Sequence, residues 1–133
     1  MNTLRISSNL GDELEELIRI VIGAFLDVHR ELGPGMSEAV YASAARLELT
    51  ERKIAFESEK RFAVKYRGKF LRHQRVDLLV DEKLVVEIKS VERLHPVYKA
   101  QVVSYMRVAG VRAGLLVNFN VPLLKQGIQR IVL

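Results

Sequence analysis

Three residues in two apolar runs have types and spacing that could do chemistry: Asp77 in "RVDLLV", and Glu87 and Lys89 in "KLVVEIKSVE". Leu84, Val85, Val86 and Ile88 read as a strand buried on both faces. Glu87 and Lys89 stand two apart inside it, so both project to the same side. Burying a carboxylate and an ammonium is costly without compensation. Asp77 poses the same problem one strand earlier, among Val76, Leu78, Leu79 and Val80. A short hairpin can set Asp77 beside Glu87, where two carboxylates repel unless one is protonated or a cation lies between them. A hard divalent ion resolves the conflict, since magnesium commonly takes one or two carboxylates with waters and substrate phosphate. The set D-x9-E-x-K is then a minimal apparatus for metal-assisted phosphodiester hydrolysis, with Lys89 on a phosphate oxygen or the attacking water. Each piece also has a plain structural reading: a solvated face or cross-strand ion pair for E-x-K, a turn residue for Asp77.

Two further groups fall at helical spacing. Gly35, Glu38 and Tyr41 in "GPGMSEAVY" are three apart and share roughly one helical face; Gln101 and Tyr105 are four apart on another helix. Glu38 could equally complement a helix dipole, and Tyr41 and Tyr105 could be core aromatics with wet hydroxyls.

The elements that must hold these residues follow from periodicity. Leu14, Leu17, Ile18, Val21, Phe25, Val28 and Leu32 form the apolar stripe of a first helix, about 12–32, stopped at "LGPG". A second helix runs from about Ser37, its N-cap, to Arg52. Phe62, Val64 and Tyr66 then alternate with Arg61, Ala63, Lys65 and Arg67, the two-residue period of a half-buried strand. Gly68 turns the chain into "FLRHQRVDLLV", and a tight "VDEK" turn leads to "EKLVVEIKS". Pro96 opens a third helix that Gly110 ends; "AGLLVNF" and a short "GIQRIVL" are the last strands. The order predicts an α/β sandwich whose third helix joins two strands that could be parallel neighbours.

At 133 residues and 15.1 kDa the chain is expected to be one domain. It has no cysteine, which excludes disulfides, thiolate zinc sites and iron–sulfur clusters, and His29, His73 and His95 lack ligand spacing. The start lacks a signal-peptide layout and no run reaches membrane-spanning length, so the expected home is the cytoplasm of a bacterium or archaeon, with no membrane partner. A net charge of +5 mildly favours an anionic partner. From Lys60 to Arg75 seven basic residues occur with no acidic one. Lys65, Arg67, Arg72 and Arg75 there could track a nucleic-acid backbone, or be a solvated face; Arg72 and Arg75 could instead pair with Asp77. The alternation places Phe62, Tyr66 and Phe70 opposite the charges, as core aromatics.

Taken together, "GMSEAVY", "DLLV", "VVEIKSVE", "HPVYKAQVVSYM" and "GLLVNFNVPLLKQGI" resemble the GxxExxY family of the PD-(D/E)xK nuclease-like superfamily, over about Leu14 to Leu133. The resemblance implies an αβββαβ core (about 36–133) with an extra N-terminal helix and a mixed central sheet. It also implies a Mg2+- or Mn2+-dependent nuclease. By similarity Asp77, Glu87 and Lys89 match the D…(D/E)xK set, Glu38 the acid from the first core helix, and Gln101 and Tyr105 the Q-x3-Y motif of the RecB-like branch. Asp77 and Glu87 would ligate the metal, with the Ile88 carbonyl and Glu38 completing its shell. Lys89 would orient the water, and Gln101 and Tyr105 would support Lys89 or contact the nucleic-acid backbone. The competing expectation is a catalytically inactive module of the same fold that binds nucleic acid or protein. The chain's small size, with no target-recognition module, favours that alternative or a homodimer.

Overall fold

The computed structural model describes residues 10–133. The stretch read for a leader lies largely outside them. No described helix is long and apolar enough to cross a membrane.

Helix α1 (Asp12–Leu32) carries Asp12, Glu13 and Glu15 in its first turn and packs Ile18, Val21, Phe25 and Val28 inward. Helix α2 (Glu38–Glu51) begins where the Ser37 hydroxyl accepts the Val40 amide at 3.3 Å. Strands β1 (Phe56–Tyr66) and β2 (Lys69–Val80) form a long antiparallel hairpin. Asp81 and Glu82, both at positive φ, then reverse the chain into β3 (Leu84–Lys89), as a type I′ hairpin turn demands. Helix α3 (Pro96–Ala109) starts with proline in its first turn and ends at Gly110 in the left-handed conformation. Strand β4 (Ala113–Asn118) lies parallel to β3, and β5 (Ile128–Val132) closes the sheet antiparallel to β4.

The sheet runs β1-β2-β3-β4-β5 and is mixed, as expected. Leu78, Val80, Leu84, Val86, Ile88, Ala113, Leu115 and Val117 face α1 and α2. Val76, Leu79, Val85, Leu116 and Ile131 face Val102 and Met106 of α3. Gly114 lets α3 approach closely, because a Cβ there would lie 2.7 Å from the Met106 sulfur.

One irregularity shapes the site. Val76 joins the α3 side while Leu78 joins the α1/α2 side, although residues two apart on a regular strand share a face. The switch falls at Asp77, and the neighbouring strand has Glu59 at φ 53 between Ser58 and Lys60, the register partners of Leu78 and Val76. The β1–β2 ribbon therefore changes face at Glu59 and Asp77. Strand β2 bonds to β3 only over Leu78–Val80, so beyond Asp77 the ribbon leaves the rest of the sheet.

Candidate active site

Where β2 parts from β3, side chains replace the backbone ladder. The Asp77 amide donates to Glu87 Oε1 at 3.1 Å, and the Ile88 amide donates to Asp77 Oδ2 at 3.0 Å. Each acid thus satisfies an amide on the opposite strand, which holds the two carboxylates together. Glu87 is 6 % exposed and Asp77 half-buried. Burial, and then the charge of Asp77, push the Glu87 carboxyl up to about 8, against the smaller opposing pull of the Asp77 amide and of Lys89. Among the described residues neither acid has an Arg or Lys ion-pair partner. Two adjacent oxygen donors without a neutralising cation suit a hard divalent ion, which would stand where the retained proton now relieves repulsion.

Lys89 lies on the Glu87 side of β3, half-buried, its Nζ 4.6 Å from the centroid of the Tyr98 ring. Tyr105, seven residues on, feels the same acids: burial and then the charges of Glu87 and Asp77 raise its hydroxyl pKa, keeping it a donor at neutral pH. Of the two roles expected for Gln101 and Tyr105, support of Lys89 or contact with the nucleic-acid backbone, the first is shared by another residue of α3. Tyr98 lies against the ammonium, Tyr105 feels the charge of both acids, and half-buried Gln101 makes no hydrogen bond to either group among the described residues. The spacing of Tyr98 and Tyr105, two helical turns, was the available signal for Tyr98.

The third acid stands apart. Glu38 is exposed at the start of α2, and among the described residues no three His, Asp or Glu side chains group as a metal site. It instead lines a cavity of about 250 Å³ with Asp77, Ile88, Glu59, Arg46 and Arg75. Gly35, expected on the face of α2 with Glu38, lies before the helix in a loop at φ 102. Tyr41 is wholly buried, stacked on Phe119 with centroids 4.7 Å apart. Its hydroxyl is not wet but donates to the Gly33 carbonyl and accepts the Met36 amide. Ser90, just past β3, donates to the Met36 carbonyl at 2.6 Å. The Gly35–Tyr41 segment thus ties the start of α2 to the end of β3 and keeps Glu38 at the mouth of the cavity.

Two contributors escaped the sequence reading. Glu59 lines the cavity and pairs with Arg75 at 3.1 Å, which leaves Asp77 free of the arginine expected to compete for it. Nothing in the residue pattern marks Glu59, because its place follows from register and a positive φ. Buried Asn118 accepts from the Val91 amide (3.0 Å) and donates to the Val91 carbonyl (2.9 Å), pinning the loop after Lys89. A polar residue at the end of an apolar strand was its signal.

The basic hairpin departs from expectation. Phe62 packs on the α3-side core, but Tyr66 and Phe70 are 60 % and 55 % exposed and fill no core. A bulge after Val64 shifts the pairing, so aromatics and charges share faces instead of dividing between them.

A family model described as PD-(D/E)XK nuclease superfamily matches residues 15–131. The chain belongs to the PD-(D/E)XK nuclease superfamily. The match spans the whole sheet except its last residue, Val132, and includes Asp77, Glu87 and Lys89, so the paired acids sit within the superfamily domain. No curated protein and no solved structure shows significant similarity to the chain.

Proposed function

We propose that this member of the superfamily hydrolyses phosphodiester bonds in nucleic acid in a metal-dependent reaction. The observation that carries the reading is the Asp77–Glu87 pair, which has no ion-pair partner among the described residues, with Lys89 on the same strand as Glu87. The Gly35–Glu38–Tyr41 pattern supports placing it in the GxxExxY group. Mg2+ or Mn2+ held by Asp77 and Glu87, with the Ile88 carbonyl as a further ligand, would polarise a phosphate oxygen. Glu38 reaches that site across the cavity, through water. Lys89, steadied on the Tyr98 ring, stabilises negative charge that develops on the phosphate and orients the attacking water. Tyr105, still protonated, donates a hydrogen bond to a phosphate oxygen, and Gln101 contacts the backbone of the bound strand.

Calorimetric titration with Mn2+, in the presence of a short oligonucleotide, tests the reading. The wild type is expected to bind the ion and cleave; Glu87→Ala should do neither, and Lys89→Ala should bind the ion yet lose most of its turnover. Cleavage that persists equally in Asp77→Ala and Lys89→Ala would refute it. The grouping of two rather than three acids favours one alternative, a binding module without catalysis. Oligonucleotide binding without metal uptake or cleavage would select that module.

A further inference from the structure

Among the described residues no third strand pairs with the β1–β2 ribbon beyond Phe62 and Gln74, and none of its side chains there belongs to either core cluster. From that rung to the tip it extends about 13 Å. Isolated two-stranded ribbons are marginal in water, yet this one exposes Tyr66 (60 %), Phe70 (55 %) and Leu71 (57 %) near its tip. Register assigns its faces. Val64 pairs with Arg72 and Tyr66 with Lys69, giving one face; Lys65 pairs with Phe70, whose ring meets His73 at 5.1 Å, giving the other. Leu71 is the unpaired bulge residue, and the Arg67 guanidinium at the turn lies 5.3 Å from the Tyr66 ring. Lys65, Arg67, Lys69 and Arg72 make no ion pair among the described residues.

Positive charge on both faces of a thin element, around an apolar tip, specifies its partner. A flat partner, whether a membrane or a protein surface, engages one face and leaves the other's charges idle. A groove with phosphates on both walls uses both. We infer that the β1–β2 arm inserts tip first into the major groove of double-stranded DNA, with Lys65 reaching one phosphate wall, Lys69 and Arg72 the other, and Tyr66, Phe70 and Leu71 carried near the tip into the deeper part of the groove. That groove, about 12 Å wide, admits a two-stranded ribbon, whereas the narrow major groove of an RNA duplex does not. A single strand offers no second wall. The inference names the substrate of the proposed nuclease as duplex DNA; it rests on the nucleic-acid part of that reading and not on catalysis.

Fluorescence anisotropy in EDTA, with a labelled 20-base-pair DNA duplex (~20 bp, two turns of groove), its single strand and the matching RNA duplex, tests it. The DNA duplex is expected to bind at least about tenfold tighter than either competitor. Lys65→Gln/Arg72→Gln should flatten the slope of log K against log salt by about 1.8, from ~0.9 per phosphate contact. Phe70→Ser/Leu71→Ser should weaken duplex binding with the slope unchanged. Lys53→Gln/Lys125→Gln, with the same change in net charge away from the arm, should keep the wild-type affinity. These exposed positions leave the core intact, which circular dichroism checks. Equal affinity for the three nucleic acids, or equal losses in the arm and control variants, would overturn the proposal. So would a tip variant that turns a dimer into a monomer yet binds DNA unchanged, since the arm would then meet a second copy. Because no divalent ion is present, failure here leaves the metal titration and the nuclease reading standing.

Discussion

Glu87→Gln is expected to stabilise the metal-free protein at alkaline pH, the reverse of what changing a buried hydrogen-bonded residue usually does. In the fold the Glu87 carboxyl is raised from 4.5 to about 8 by burial and by Asp77. The folded chain therefore holds this proton more tightly than the unfolded one. The stability it contributes is complete below about pH 4.5 and is lost as pH rises through about 8. At about 1.4 kcal/mol per tenfold in proton affinity, the loss between pH 5 and pH 9 has a ceiling of about 4 kcal/mol. At least half of that ceiling, about 2 kcal/mol, is expected at this site. Glutamine keeps the acceptor for the Asp77 amide, and its NH2 can donate to the Asp77 carboxylate in place of the Glu87 proton. Its stability should thus be nearly flat where the wild type falls. Urea unfolding in EDTA, at pH 5, 7 and 9, measures both proteins, with other titrating groups cancelling between them. Saturating Mn2+ should then narrow or close the gap at pH 9, restoring about 2.7 kcal/mol to the wild type at a hundredfold excess over Kd and nothing to the variant. If the variant loses as much stability as the wild type between pH 5 and 9, the acids are not paired as described.

Tyr98→Leu should lower turnover on a duplex oligonucleotide roughly three- to thirtyfold with little change in KM, matching ~0.5–2 kcal/mol for a cation over a ring, while Tyr98→Phe should retain activity. Tyr41→Phe removes the hydroxyl shared by the Gly33 carbonyl and Met36 amide. It should cost about 1–3 kcal/mol in urea unfolding. Gly127→Ala would set a Cβ 2.1 Å from the Asn118 carbonyl oxygen, so a loss of at least ~3 kcal/mol, or failure to fold, is expected on thermal unfolding.

Local patterns reach a long way in this protein. The heptad-like stripe of α1, the Ser37 cap, Pro96 and Gly110 around α3, and the acids inside apolar strands are all short-range signals. They were legible because helix and strand periods and terminal hydrogen bonds depend on neighbours in the chain. The same signals placed Asp77 beside Glu87, since a tight turn leaves adjacent strands little choice of register. They failed at the hairpin, where alternation predicted core aromatics, but the ribbon runs past the rest of the sheet and leaves Tyr66 and Phe70 in solvent.

Composition and spacing by themselves determined which elements form and that two carboxylates and an amine would share one end of the sheet. Tertiary structure alone decided how they are used. The face switch at Glu59 and Asp77 opened the strand ladder, so carboxylates took over the hydrogen bonds of the backbone. Arg75 pairs with Glu59 instead of Asp77, α3 sets the Tyr98 ring against Lys89, and Glu38 lines the same cavity as Asp77. Each of these depends on which faces of distant segments meet, and a side-chain period of two is undone by a single irregular residue.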